Sequence, residues 1–336
     1  MPASMAEAGL EHGGRLGAAR ARFPGAPEPF IDLSTGINPV PWPVPPLPPA
    51  AWTRLPEPEA EAALRAAAAA AYGAASPEMV AAAPGTQLLI QLLPRLFPLP
   101  RLAILGPTYA EHAACWRAAG TVVEEVENLA ALAQAPAALL CNPNNPDGRR
   151  LPPKEIRALA DGVASRGGLL LVDEAFADLE PDMQGAAALL PHPALILLRS
   201  FGKSYGMAGL RLGFALAAPA RAAAIRAALG PWAVSGPALA IGTAALADAP
   251  WRQGAAARLA AECARLDALL SGAGLRVLGG TLLFRLAEGD AAHWHDRLGR
   301  QGILVRPFSA RPRWLRFGLP PDEAAWARLE RALAPG

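Results

Sequence analysis

Five short apolar runs, four of them followed by polar or glycine-rich residues, constrain this chain more than any other feature. They are Leu102–Leu105, Ala137–Cys141, Leu169–Val172, Leu195–Leu198 and Leu212–Leu216. None alternates apolar with polar residues. A strand exposed on one face alternates, whereas a strand covered on both faces stays apolar throughout, as in a parallel sheet between layers of helix. Helix-forming segments accompany the runs: Glu57–Tyr72, stopped by Gly73, then Leu88–Phe97 and Pro153–Arg166. The expected class is α/β, with a mostly parallel central sheet and helices on both faces. Ligands of such sheets lie at the carboxyl ends of the strands. The polar clusters fall at those ends: Gly106–Tyr109, Asn142–Gly148, Asp173-Glu174 and Ser200–Lys203.

After Pro231 the pattern changes. A long helix is expected from Trp251 to Leu270, paired strands at Leu275–Leu278 and Thr281–Leu286, a helix at His293–Gln301, and strands at Ile303–Arg306 and Trp314–Phe317. With 336 residues, more than one core is expected. The division is an N-terminal arm and loop over 1–50, Pro-rich from Pro39 to Pro49; a large domain over 51–230; and a small α+β domain over 231–336.

Composition removes several function classes. Lys and Arg number 31 against 29 Asp and Glu, for a net charge of +2, which gives no basic footprint for nucleic acid. No uncharged apolar run reaches the roughly 20 residues of a membrane span. The start of the chain, with Glu7, Glu11, His12 and Arg15, has no apolar signal-peptide core. Cys115, Cys141 and Cys263 lack paired spacing and read as the reduced thiols of a cytoplasmic protein.

Lys203 carries the strongest chemical suggestion. It stands in Ser200-Phe201-Gly202-Lys203-Ser204, just after an apolar run. A lysine there can bond an aldehyde cofactor; equally, it can be a solvated surface residue. A phosphate-binding P-loop would need glycine at position 197, which is Leu. Asp173 ends another run and can serve as a buried partner for a cofactor nitrogen, as a helix cap or as a metal ligand; no His/Asp/Glu cluster at ligand spacing supports a metal. Arg211 follows Lys203 by eight residues and suits bidentate phosphate binding. Ser200 can add a hydroxyl. Gly85-Thr86-Gln87 at a helix start can add backbone N–H donors. Asn142–Gly148 reads as a tight turn or as a ligand loop, and Tyr109 as a packed or a ligand-facing aromatic.

Taken together, Asn142-Pro143-Asn144-Asn145-Pro146-Asp147-Gly148, then Asp173-Glu174-Ala175-Phe176, then Ser200 to Lys203 with Arg211 beyond, resemble the fold-type I aminotransferase superfamily, whose enzymes use pyridoxal 5′-phosphate (PLP). The resemblance covers nearly the whole chain. It implies the PLP-dependent transferase fold, with Lys203 holding the cofactor as a Schiff base, Asp173 pairing with the pyridine nitrogen, Asn145 bonding the ring 3′-oxygen and Tyr109 stacking on the ring. Gly85, Thr86, Gln87, Ser200 and Arg211 would hold the cofactor phosphate, and Arg316 the substrate carboxylate. Two positions depart from the pattern. Phe176 stands where related enzymes often have Tyr, and Leu55-Pro56 where they often have Tyr-Pro, whose phenol reaches the neighbouring subunit.

Within the superfamily the chain is most similar to the histidinol-phosphate aminotransferase branch, and there to the threonine-phosphate decarboxylase family of cobalamin biosynthesis. The residues that carry this are His12-Gly13-Gly14, Leu33–Pro39 and Asp173–Phe176; by itself His12-Gly13-Gly14 reads as a flexible arm. The resemblance implies that His12, Gly13 and Arg306 meet a substrate phosphate, and that Gly36, Ile37, Asn38, Asn145 and Arg316 hold the carboxylate end. It implies a homodimer acting on a small phosphorylated amino acid. The alternatives are a histidinol-phosphate or related aminotransferase and, in a different class, a non-catalytic PLP-binding protein.

Overall fold

The computed structural model describes residues 12–180, 183 and 185–334; the start of the expected arm, with Glu7 and Glu11, lies outside them. Thirteen strands form among the described residues, in chain order β1 (Ile31–Asp32), β2 (Val80–Ala83), β3 (Arg101–Leu105), β4 (Val122–Val126), β5 (Ala138–Cys141), β6 (Leu170–Asp173), β7 (Leu195–Arg199), β8 (Gly213–Ala217), β9 (Arg276–Thr281), β10 (Phe284–Glu288), β11 (Ile303–Leu304), β12 (Arg306–Pro307) and β13 (Trp314–Phe317). The expected apolar runs became β3, β5, β6, β7 and β8. Sequence reading did not assign β2 or β4.

The large sheet has seven strands in the order β2-β8-β7-β6-β5-β3-β4. β4, β3, β5, β6 and β7 are mutually parallel; β8 runs antiparallel to both β7 and β2. β2, β5, β6, β7 and β8 are buried along their whole lengths, because helices cover both faces. On one face lie Pro58–Tyr72 and Pro153–Ser165, whose Leu64, Ile156 and Val163 enter one apolar cluster. On the other lie Thr86–Leu96 and Ala110–Ala118, whose Leu89, Leu93 and Trp116 enter another. β4 lies at the sheet edge and is mostly exposed, with Glu124 and Glu125 along it. Those charges broke the apolar run that sequence reading relied on, and they discourage pairing with another chain.

Reversal of β8 matters for the site. Its first residue, Gly213, pairs with Ala83 at the end of β2, and its Phe214 with Arg199 at the end of β7. Arg211, just before β8, is thereby brought to the edge where β2, β5, β6 and β7 all end.

The second sheet is antiparallel, β12-β13-β10-β9, and β1 pairs with β11 in parallel. Its core contains Ile31 and Leu33 from the N-terminal region together with Leu259, Leu266, Phe284, Phe317 and Trp326. Packing against the large core continues past residue 231. Helix Gly236–Ala247 puts Ala238, Leu239, Ile241 and Ala245 into the same cluster as Leu64 and Ala68, so it completes the large core. The chain passes to the second core along helix Ala249–Gly272, whose Ala255, Leu259 and Cys263 are buried there.

Glycines bring the two sheets together next to the Asn142–Gly148 loop. Gly148 has φ +74°, and a Cβ on it would lie 2.0 Å from the Gly280 carbonyl oxygen. A side chain at that position would separate the β9–β10 hairpin from the loop.

Candidate active site

Adjacent parallel strands place their carboxyl ends side by side, and here those ends carry the polar residues. Cys141 pairs with Asp173, and Asp173 with Leu198. The Asn142–Gly148 loop, Asp173 and the Ser200–Lys203 turn therefore converge. Every residue to which the resemblance gives a cofactor or substrate role, except Asn38, lines one cavity of about 370 Å³.

Asn38 is the correction. It is 2% exposed, and its Nδ2 donates to the Ser204 carbonyl at 2.9 Å. Its Oδ1 accepts from Arg258 at 2.7 Å and from the Val40 N–H at 3.1 Å. Its backbone N–H donates to the Lys203 carbonyl at 2.8 Å. Asn38 thus anchors the lysine-bearing turn from behind instead of walling the cavity. Gly36 and Ile37 do reach the wall.

The asparagine loop divides its labour. Asn142 exchanges hydrogen bonds with the backbone of Leu151, and Asn144 bonds Pro107, Asp147 and Thr108. Both close the loop on its surroundings. Asn145 faces the cavity, where its Oδ1 accepts from Arg316 at 2.6 Å. Arg316 also donates to the Ser34 carbonyl at 2.8 Å, so its guanidinium is held from two sides.

Lys203 is half-buried, and desolvation pushes its pKa down, with the nearby Asp173 carboxylate offsetting part of the effect. A lowered pKa favours the neutral, nucleophilic amine. Its Nζ lies 4.1 Å from the centre of the Phe176 ring. Phe176 in turn meets Phe284 edge to face, with centroids 4.9 Å apart. The residue that lacks a phenol is therefore an apolar wall for the lysine.

Asp173 holds a partner that sequence reading missed. His112 Nε2 lies 2.8 Å from Asp173 Oδ2, with both residues buried. Burial alone would raise the acid's pKa, but the hydrogen bond and charge of His112 hold it below the ordinary value. Burial alone would lower that of His112, but hydrogen bonds to Asp173 and Cys141 raise it. The pair is an imidazolium and a carboxylate. His112 comes from helix Ala110–Ala118, one turn beyond Tyr109, and no local motif marks it. The fold also contradicts the absence of a ligand cluster in the sequence, since donor atoms of His112, Cys141 and Asp173 lie within 4.8 Å of one another. The 2.8 Å contact is a direct hydrogen bond, too short for two donors each about 2.0–2.2 Å from one tetrahedral ion.

An anion cradle lies where β2 ends. Gly85 precedes helix Thr86–Leu96, whose first N–H groups have no side-chain cap and are open to an anion. A Cβ on Gly85 would lie 2.5 Å from Arg211 Nη2, and one on Gly213 would lie 2.5 Å from the Thr86 nitrogen. Only glycine lets guanidinium and helix terminus close on the same point. With Ser200 beside them, this donor set fits a phosphate monoester such as that of PLP. Tyr109, whose pKa burial pushes up to about 12, donates its hydroxyl to Gln87 Oε1 at 3.2 Å.

A second group of basic residues lines the cavity: His12, Arg306 and Arg316. Burial and the neighbouring Arg306 push the pKa of Arg316 down to about 9, which leaves it cationic at neutral pH.

A half-buried lysine near a buried acid, an anion cradle at a helix start and a sheet with one reversed strand define an enzyme of the fold-type I class. The chain belongs to the aminotransferase class I and II family, whose pattern it matches over residues 49–332. It is 48% identical to a threonine-phosphate decarboxylase of Sinorhizobium sp over 328 residues, 97% of this chain and 98% of that one. A threonine-phosphate decarboxylase of Pseudomonas aeruginosa is 46% identical over 328 residues, 96% of this chain and 97% of the other. Among solved structures, a histidinol-phosphate aminotransferase from Sinorhizobium meliloti in complex with PLP superposes with a TM-score of 0.79 at 25% identity, covering 98% of this chain and 97% of that one.

Proposed function

We propose that this protein is a PLP-dependent lyase that decarboxylates L-threonine O-3-phosphate to (R)-1-amino-2-propanol O-2-phosphate in cobalamin biosynthesis. The observation that carries the reading is the pair of cationic groups in one cavity. Arg211 with the helix start takes the cofactor phosphate, while His12, Arg306 and Arg316 remain for a substrate that is itself phosphate and carboxylate. An apolar wall at that end would leave such a substrate unpaired. Full-length likeness to two decarboxylases supports the same reading.

When bound, PLP supplies an electron sink for the pair left at Cα as carbon dioxide departs. Lys203 would hold the cofactor covalently and, in its protonated form, would donate a proton to Cα. Asp173, kept ionised by His112, would pair with the ring nitrogen and keep it protonated. Arg316, fixed by Asn145 and the Ser34 carbonyl, orients the carboxylate. His12 and Arg306 bind the substrate phosphate. Phe176 and Phe284 keep water from the lysine side of the cavity.

We place the enzyme in the cytoplasm as a homodimer. No helix among the described residues is long and apolar enough to cross a membrane, and Trp52, Leu55 and Trp232 stand exposed around one surface cleft. The deciding experiment incubates PLP-loaded enzyme with threonine phosphate and follows carbon dioxide. Release of carbon dioxide without glutamate formation from 2-oxoglutarate is expected. Amino transfer from histidinol phosphate without carbon dioxide would make the protein an aminotransferase.

A further inference from the structure

Glu111 stands on helix Ala110–Ala118 and does not itself line the cavity, but it lies directly behind residues that do. Its carboxylate has three engagements, one of them the Cys115 thiol, which donates to Oε2 at 3.9 Å. Oε1 lies 2.9 Å from His12 Nε2, and Oε2 accepts from Gln87 Nε2 at 3.1 Å. The stretch that carries His12 is fixed on its other side as well. The Gly14 N–H donates to Ser34 Oγ at 2.7 Å, and a Cβ on Gly13 would lie 2.5 Å from the Ser34 carbonyl oxygen. Residues 12–14 therefore lie between the loop that holds Arg316 and the helix that holds Glu111.

We infer that Glu111 is the positioning residue for substrate-phosphate recognition, acting through His12. This rests on the functional reading above. Phosphate oxygens of a dianion only accept hydrogen bonds, so an imidazole serves it best by donating. Glu111 accepts from Nε2 and leaves Nδ1 as the nitrogen that meets the ligand; only the imidazolium donates from both nitrogens, the form favoured by a carboxylate on one side and a phosphate dianion on the other. Without that acceptor the ring rotates freely on a stretch rich in glycine, and ordering it again on binding costs entropy. Carboxylates behind ligand-binding histidines act this way at metal sites, where they fix ring orientation. Standing behind the ring, the Glu111 charge is screened from the substrate by the group it positions.

The test is a double-mutant cycle on PLP-loaded enzyme, using Glu111→Gln, His12→Gln and the double variant. Gln is isosteric and can still bond Gln87. Glu111→Gln is expected to raise KM for threonine phosphate about tenfold while kcat moves less than about twofold, the size of one lost charge-assisted hydrogen bond. In the His12→Gln background the same change should add nothing, because the two residues form one unit. An equal rise in KM in both backgrounds would show Glu111 acting through Gln87 and Tyr109 and would overturn the inference. So would a KM unchanged by Glu111→Gln. Binding of inorganic phosphate to the same holoenzymes, measured by calorimetry, reads the His12 effect without turnover. If the wild type releases no carbon dioxide but Glu111→Gln still weakens phosphate binding about tenfold, the decarboxylase reading fails and the role of Glu111 stands.

Discussion

His112 Nε2 and Asp173 Oδ2 are 2.8 Å apart in the interior, so the acid at the end of β6 is held ionised by a cation from a different element. Strand ends place Asp173; the helix after β3 decides its charge. A carboxylate buried alone at that point would take up a proton and could no longer stabilise a protonated ring nitrogen.

Replacing His112 by Asn should therefore lower stability and kcat together. Breaking a buried pair costs roughly 3–5 kcal/mol. The two shifts fix the pH dependence. The raised pKa of His112 means that its contribution is complete below the unfolded value of 6.5 and fades as pH rises through the folded one. The lowered pKa of Asp173 means that its contribution is complete above 3.8 and is lost as pH falls through the folded one. Thermal melts of wild type and His112→Asn should differ most between those two values, and the gap should close as pH is raised. A gap that widens with pH would refute the ion pair.

Borohydride treatment of the PLP-loaded enzyme should fix the cofactor to Lys203 and to no other lysine, as read by peptide mass. Lys203→Ala should lose turnover by orders of magnitude, since both the covalent anchor and the proton donor go.

Arg306 and Arg211 should separate by phenotype. Arg306→Ala should reduce kcat/KM for threonine phosphate by about one to two powers of ten, with cofactor retention through gel filtration kept. Arg211→Ala should instead release PLP. An Arg306→Ala enzyme as active as wild type would place the substrate phosphate elsewhere.

Gly36→Ala tests the cavity wall. Its Cβ would lie 2.8 Å from a Phe284 ring carbon and 2.9 Å from one of Phe176, and both rings are packed in the core. Overpacking of this kind costs about 1–3 kcal/mol, so a lower Tm is expected together with lower kcat/KM, because Phe176 borders Lys203. Calorimetry and steady-state kinetics on the same preparation check both.

Assembly is tested at Leu55. The chain has three tyrosines. Tyr72 and Tyr205 are buried and Tyr109 lines its own cavity, so none can reach a neighbouring subunit's phosphate. Leu55 is 64% exposed and borders an apolar cleft with Trp52 and Trp232, the kind of patch that marks an interface. Leu55→Arg should shift sedimentation toward monomer while leaving the large core folded. A wild type that is monomeric and fully active would refute the dimer.

Local pattern determined much of this protein. Uninterrupted apolar runs mark β3, β5, β6, β7 and β8 because a strand covered on both faces cannot carry polar side chains. Lys203, Asp173, Asn145 and Arg211 were legible because each sits at a fixed offset from such a run, the first three where the chain leaves the sheet and Arg211 where it enters it. Tertiary structure decided the rest. Strand order and the reversal of β8 bring Arg211 to Gly85, a contact between residues far apart in sequence. His112 and Glu111 look like any polar residues of a short helix until the fold sets them against Asp173 and His12. Asn38 shows the converse: its place in a suggestive loop implied a ligand, but the fold turned its amide to the backbone of the lysine turn, since a buried amide must find partners. Offsets along the chain carry a residue's position at the sheet edge, whereas its partner, and hence its charge and its role, is set only when distant segments pack.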